Sequence, residues 1–271
     1  VTERLLVVDV GNTETVLGVY DLAVEPTSAD AGLLSRFRFA TSQHRTADET
    51  ALVVDAFLAR SGLATGLVGS VVASSAPPVT RTIVEVARDH LGLDVVVVGP
   101  GTKVGMPIRY DDPREVGPDR VVDAVAAVDL FGAPVLVVDF GTATTVEAID
   151  ASGAYLGGAI APGVLVALDA LVARAAALRK VELRRPKSVI GRTTVESMQS
   201  GVVNGVVGQV THLVELMRRE IGQQAPVIAT GGLCEVIGCE VAVVDHIEPW
   251  LTLHGLRLVW HRNRGRRRTQ R

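Results

Sequence analysis

Aromatic residues are scarce in this chain, with two Trp, three Tyr and five Phe among 271 residues. The core must therefore be built from Val, Leu, Ile and Ala, and such branched runs suit strands buried on both faces of an α/β sheet. Cysteine is nearly absent: Cys234 and Cys239 match neither a redox pair nor a four-ligand zinc pattern, even with His246 nearby. Both are expected as buried, reduced thiols. No apolar run approaches the ~18 residues that span a bilayer, and Val1-Thr2-Glu3-Arg4 lacks a signal-peptide pattern. The expectation is a cytoplasmic chain with no membrane partner. Neither the P-loop spacing nor a dinucleotide GxGxxG occurs, which removes support from those two nucleotide-binding folds.

The charge that is present is unevenly placed. Formal net charge is −3, but six of the 27 basic residues lie within 262–271 (Arg262, Arg264, Arg266, Arg267, Arg268 and Arg271). The other 21 basic residues face 30 acidic ones, so the body stands near −9. Such a body offers no duplex-binding face, and no nucleic-acid partner is expected. The end of the chain, without apolar periodicity, is expected as a mobile basic tail over 262–271. Hydrophobic residues at 48% and charged residues at 21% fit an ordinary globular protein of one large domain or two small ones.

A repeat organises the rest. Residues 6–16 read LVVDVGNTETV and residues 136–146 read LVVDFGTATTV, identical at seven of eleven positions without gaps. Each copy is an apolar run ending in Asp, then Gly, a hydroxyl-rich turn, and a second apolar stretch. That pattern predicts two β-hairpins. The run Gly69–Ser75 and the run Pro226–Gly232 repeat a later strand, and helical spacing covers 48–59, 80–91, 119–130, 165–177 and 194–219. Strands alternating with helices after a hairpin predict mixed sheets covered by helices, in two similar halves with a nucleotide cleft between the hairpins.

The turns carry chemistry. Gly, Asn and Thr in a hairpin turn expose backbone N–H groups and short hydroxyls, a concavity suited to phosphate oxygens. Asp9 and Asp139 end buried strands, where each carboxylate needs a cation or donors. One such Asp could merely cap its own turn; two in equivalent places favour a shared ligand. In the stretch 106–120 (MPIRYDDPREVGPDR), Gly117-Pro118 leads into a helix beginning near Asp119. Phosphorylating an alcohol needs a carboxylate near the hydroxyl, and an arginine beside it can hold an anionic substrate by a forked pair of bonds. A helix N-cap with a surface partner is the alternative for that Asp-Arg pair. Gly157–Gly163 and Thr230-Gly231-Gly232 are expected where strands turn into helices, letting backbone approach a ligand.

These residues resemble the type III pantothenate kinases, also called the Bvg accessory factor family. The matching segments are DVGNTETVLGVYD (9–21), RTADE (45–49), GPGTKVGMPIRYDDPREVGPDR (99–120), DFGTATT (139–145), YLGGAIAPG (155–163), RPKSVIGRTTVESMQSG (185–201) and ATGG (229–232). The resemblance implies a duplicated actin-like (ribonuclease H-like) ATPase fold and transfer of the γ-phosphate of ATP, with Mg²⁺, to pantothenate in coenzyme A biosynthesis. It implies that Asp9, Val10, Gly11, Asn12, Thr13, Glu14, Thr15 and Val16 form the ATP-phosphate loop, with Thr142 as a second phosphate contact. Asp139 would hold a monovalent cation, K⁺ or NH₄⁺. Tyr110, Gly117, Pro118, Asp119 and Arg120 would bind pantothenate, with Asp119 as general base. Thr194 would reach the partner subunit's pantothenate in a homodimer with shared active sites. The corresponding domains are residues 1–115, with the phosphate loop, and 116–261, with the substrate, cation and dimer elements.

The family pattern is departed from at four places: Pro118 stands for alanine, Asp123 for asparagine, Glu14 for asparagine and Val104 for threonine. An inward-pointing Glu14 would repel phosphate, and an Asp123 charge one turn after Asp119 would raise the Asp119 pKa. The alternative function is a non-catalytic homologue that binds nucleotide or pantothenate as a regulator. A sugar kinase of the same fold is weaker, because it would not require the 110–120 and Thr194 segments.

Overall fold

The computed structural model describes residues 2–264. In chain order its strands and helices are β1 (Arg4–Val10), β2 (Glu14–Asp21), β3 (Leu33–Ala40), α1 (Ala47–Arg60), β4 (Leu67–Ser74), α2 (Pro77–Glu85), β5 (Val95–Val97) and α3 (Pro118–Phe131). There follow β6 (Val135–Phe140), β7 (Ala143–Ile149), β8 (Tyr155–Pro162), α4 (Val164–Arg174), α5 (Thr194–Glu220), β9 (Val227–Thr230), α6 (Cys234–Ile237), β10 (His246–Ile247) and α7 (Leu251–Asn263). None of the described helices is long and apolar enough to cross a membrane.

The strands form two five-stranded sheets, ordered β3-β2-β1-β4-β5 and β10-β9-β6-β7-β8. Counted outward from β1 or β6, the plan is the same. An antiparallel meander of three strands lies on one side, and two strands parallel to the first lie on the other. The sequence repeat is therefore a structural duplication, and both predicted hairpins are present. This is the actin-like α/β architecture.

In the first sheet, β1 is buried on both faces, as its unbroken apolar run requires. Leu6, Val8 and Val10 pack with Leu17 and Val19 against Val54, Phe57 and Leu58 of α1 and Val79 and Ile83 of α2. Leu5 and Val7 turn the other way, into a cluster with Val122 of α3 and Leu253, Leu256, Val259 and Trp260 of α7. The Trp260 ring lies so close to the sheet that a Cβ at Gly69 would stand 1.9 Å from it. The RTADE segment has a structural role: Thr46 caps α1 by accepting from Glu49 N at 3.2 Å, while Glu49 accepts from Thr46 N at 2.8 Å.

The chain divides into two compact units: residues up to Leu130 together with the chain from Trp250 onward, and Phe131–Pro249. The expected boundary after residue 115 differs from this division, because α7 packs on the first sheet and Val122 of α3 joins the same cluster. The Gly117–Arg120 stretch thus belongs to the same unit as the Asp9–Val16 turn. Neither α7 nor β3 was anticipated from periodicity. The expected mobile tail is also corrected at its start, where Arg262 and Asn263 form the last turn of α7. Arg264, which caps that helix, pairs with Glu3. Residues 265–271 lie outside the described residues.

In the second unit, Leu136, Val138, Phe140, Val146 and Ala148 face Val203, Val210 and Val214 of α5. Several valines of α5 are therefore core, while Val195 stays half exposed. Gly157 to Pro162, expected as a turn into a helix, instead lie in strand β8, and only Gly163 stands at the strand-to-helix junction. Cys234 is buried as expected, but Cys239 is exposed.

Candidate functional site

The first hairpin turn begins when Gly11 N donates to Glu14 O at 3.0 Å. Its floor is set by residues outside the hairpin. Thr41 donates its hydroxyl to Gly11 O at 2.8 Å, so Thr15 donates to Thr41 across their 2.8 Å contact, and Thr41 N reaches Thr13 O at 2.9 Å. Ser75 N donates to Val10 O at 3.0 Å, and Asn12 Nδ2 donates to Ser75 Oγ at 3.4 Å. Asn12, Thr13 and Glu14 are exposed, whereas the side chains of Val10 and Thr15 are buried. Those two contribute backbone alone to the open side of the turn. Glu14 does not point at the turn's interior without compensation, because its carboxylate pairs with Arg38 of β3 at 3.1 Å. Exposed as both are, the pair is worth ~0–1 kcal/mol, but it neutralises the charge that distinguished this turn.

The second turn is shorter by one residue. Val10 pairs with Thr15 in the first hairpin, whereas Phe140 pairs with Thr144 in the second. A one-residue slip moves every following side chain to the opposite face. Thr15 therefore points into the α1–α2 core, while Thr145, aligned with it in sequence, stands directly opposite Asp139. Thr230 of β9 flanks Asp139 on the other side in register. The hydroxyls of Thr145 and Thr230 are buried and have no hydrogen-bond partner among the described residues. An oxygen-only set of one carboxylate and two hydroxyls fits a hard cation.

Gly231 shapes this place. Its φ is +91°, and a Cβ there would stand 2.0 Å from Asp139 Oδ1 and 2.8 Å from the Phe140 backbone. Asp139 is half-buried against that glycine, and Thr142 is exposed at the tip of the turn. Cys234, near Asp139, has its thiol pushed up to about 12, by burial first and then by the charge of Glu235.

The substrate stretch ends at the start of α3. Pro118 occupies the first position of the helix, where its missing N–H has no intrahelical partner to lose. Asp119 is the next residue, not the N-cap, and its Oδ1 accepts from Arg120 N at 2.9 Å. A Cβ at Gly117 would stand 2.4 Å from that same oxygen, so glycine leaves the carboxylate its room. Tyr110, Gly117, Pro118, Asp119 and Arg120 are all half-buried, whereas Asp123 is buried. Val104, another departure, packs its side chain against the α7 cluster. Asp9 shares the pleat direction of Leu5 and Val7, which places it on the face of the first sheet that α7 covers.

Thr194 opens α5 behind the N-cap Thr193, which accepts from Glu196 N at 3.2 Å. It is exposed and lines an apolar groove of about 590 Å³ with Leu171, Met198, Val202 and Val206. Along the helix, a Cβ at Gly201, Gly205 or Gly208 would meet nothing within 4 Å.

Comparison with known proteins gives this geometry a family. The model of the type III pantothenate kinases matches residues 5–216. The chain belongs to the type III pantothenate kinase family. A relative of that name from Moorella thermoacetica is 48% identical over 260 residues, covering 96% of this chain and 99% of that protein. Another from Streptomyces avermitilis is 46% identical over 268 residues, covering 96% and 98%. The fold alone is shared with component A of (R)-2-hydroxyglutaryl-CoA dehydratase from Acidaminococcus fermentans, at 13% identity and a TM-score of 0.55 over 95% of this chain and 96% of that one. Thr41, Ser75 and Arg38 were not expected beside the first turn, nor was the meeting of Thr145 and Thr230 at Asp139. Their signal in sequence is faint, since each is a single polar group at the end of a strand, just past one, or within one whose register the sequence does not show.

Proposed function

We propose that this protein phosphorylates pantothenate to 4'-phosphopantothenate with ATP, the first step of coenzyme A biosynthesis. The family match over nearly the whole chain carries this reading, and the two hairpin turns and the α3 start supply the groups it needs. In it, the backbone N–H groups of the Asp9–Val16 turn and Thr142 cradle ATP phosphates, and Asn12 and Thr13 add short polar side chains. Among the described residues no cluster of three or more His, Cys, Asp and Glu could hold a metal. Mg²⁺ would enter on the phosphates of ATP, as it usually does in phosphoryl transfer. Asp139, with Thr145 and Thr230, would hold a monovalent cation, K⁺ or NH₄⁺, and neutralise charge near the nucleotide.

Pantothenate is assigned to Tyr110 and Gly117–Arg120. Arg120 faces the substrate carboxylate with forked donors, and Asp119 orients the alcohol and accepts its proton as the oxygen attacks the γ-phosphorus. Thr194 is assigned to the pantothenate pocket of the partner subunit in a cytoplasmic homodimer. The open glycine face of α5 supports that reading, since it leaves room for a second backbone.

The test is turnover by the purified chain with MgATP, potassium and pantothenate, followed as 4'-phosphopantothenate by mass spectrometry. Asp119→Asn should cut kcat by about 10²–10⁴ while ATP binding persists. A variant retaining more than half the turnover would remove Asp119 from the base role. Mixing Asp119→Asn with Thr194→Arg should restore activity through heterodimers, and no recovery after verified subunit exchange would defeat the shared site. Turnover of sugars but not of pantothenate would overturn the substrate.

A further inference from the structure

The loop after β5 is gripped by the end of α7. Thr102 first closes a turn, accepting from Gly99 N at 3.1 Å and donating to Val97 O at 3.0 Å. The next three residues are then held from the helix. Lys103 N donates to Asn263 Oδ1 at 3.1 Å, and Asn263 Nδ2 donates back to Lys103 O at 3.0 Å. One carboxamide thus satisfies both backbone groups of Lys103, as a neighbouring strand would. Asn263 Nδ2 also donates to Val259 O at 2.7 Å, which ties the carboxamide to its own helix. Arg262 donates to Val104 O. Its side chain lies on Gly105, whose φ is +79° and whose Cβ would stand 2.6 Å from Arg262 Nε.

The chain then runs through Tyr110 to Gly117 with only a short turn at Pro113–Glu115 and a bridge at Ile108. At its far end it enters α3, which the same helix holds. A Cβ at Gly255 would stand 2.0 Å from Val122 O, and His254 Nε2 lies 3.1 Å from Asp129 Oδ2. The segment assigned to pantothenate is therefore fastened at both ends to α7, which lies beyond the matched family span ending at residue 216.

We propose that Asn263 and Arg262 are positioning residues for pantothenate, acting through the Lys103–Gly105 loop that they hold. This rests on the assignment of Tyr110 and Gly117–Arg120 to that substrate. Lys103, Gly105 and Arg262 are exposed and Val104 is only partly buried against the α7 cluster, so releasing the grip uncovers little apolar surface and costs the fold little. It does free the segment to sample other conformations. A ligand whose site is populated only part of the time binds more weakly by that fraction.

The experiment compares wild type, Asn263→Ala and Asn263→Asp in the full chain by steady-state kinetics, calorimetry with pantothenate, and thermal melting. Asn263→Ala is expected to raise KM and the calorimetric Kd for pantothenate about tenfold, with KM for ATP and kcat within about twofold. Its Tm should stay within about 2 °C of wild type. Asn263→Asp keeps the acceptor for Lys103 N but sets a carboxylate against Lys103 O, so its pantothenate effect should be at least as large. An unchanged pantothenate KM and Kd overturns the proposal. So does an equal rise in both substrate KM values, or a kcat loss that tracks a lowered Tm, each of which marks a merely structural role. A wild-type chain that neither phosphorylates nor binds pantothenate overturns the functional reading itself, and this inference with it.

Discussion

Replacing Gly255 by alanine sets two effects of opposite sign against each other. Gly255 is an ordinary helical residue of α7, not one of the positive-φ glycines, so alanine suits its backbone. If only helix propensity mattered, the change would stabilise by about 1 kcal/mol. The neighbour decides otherwise. The new Cβ would stand 2.0 Å from Val122 O and 2.7 Å from Val122 C, where ordinary contact begins near 3.4 Å. Both sides of that contact are helix backbone, so α7 and α3 must part by about 1.4 Å. Overpacking of this kind costs about 1–3 kcal/mol, and backbone against backbone belongs at the upper end. After the propensity gain, a net loss of about 2 kcal/mol should lower Tm by about 4–8 °C in a protein of this size. Activity should suffer more. Asp119 lies less than one turn before Val122, and a misplacement near 1 Å costs about 10²-fold in rate. Melting and kcat on the purified variant measure both. A Tm at or above wild type with unchanged kcat would refute the α3–α7 contact and the placement of Asp119 that follows from it.

Among the described residues a Cβ at Gly205 meets nothing within 4 Å, so Gly205→Ala should strengthen α5 by about 1 kcal/mol yet weaken the proposed dimer about tenfold. Sedimentation velocity reads the second effect, and an unchanged dimer with a raised Tm would place the interface elsewhere. His254 is fully buried, and burial lowers its pKa from the ordinary 6.5, with Asp129 opposing in part. The unfolded chain then binds more protons as pH falls below about 6.5, so folding stability declines there. His254→Gln should flatten that decline in denaturant titrations, and an unaltered slope would exclude His254 as its source. At pH 8, iodoacetamide should modify exposed Cys239 and spare Cys234, whose thiol stands near 12. Labelling of Cys234 in the native protein, seen by peptide mass mapping, would contradict its burial.

Much of this molecule is legible in its sequence because the governing signals are local. An apolar run ending in Asp-Gly and a hydroxyl-rich turn makes a hairpin wherever it occurs, so the repeat alone announces the duplication and the places of Asp9 and Asp139. The same holds for α3, which Pro118 starts, and for α5, which Thr193 caps. What tertiary structure decided lies between distant residues. Seven identities in eleven positions say nothing of the register slip that turns Thr15 into a core and Thr145 beside Asp139, because one residue fewer in a turn leaves hydrophobicity almost unchanged while reversing every later side chain. Glu14 looked hostile to phosphate until β3 brought Arg38 across from it. Asn263 and Lys103 stand 160 positions apart, and no periodicity links a helix-terminal amide to a loop backbone. Sequence determined which groups the chain carries into its turns. Packing of α7 on the first sheet decided which unit holds the α3 carboxylate and what keeps its loop in place.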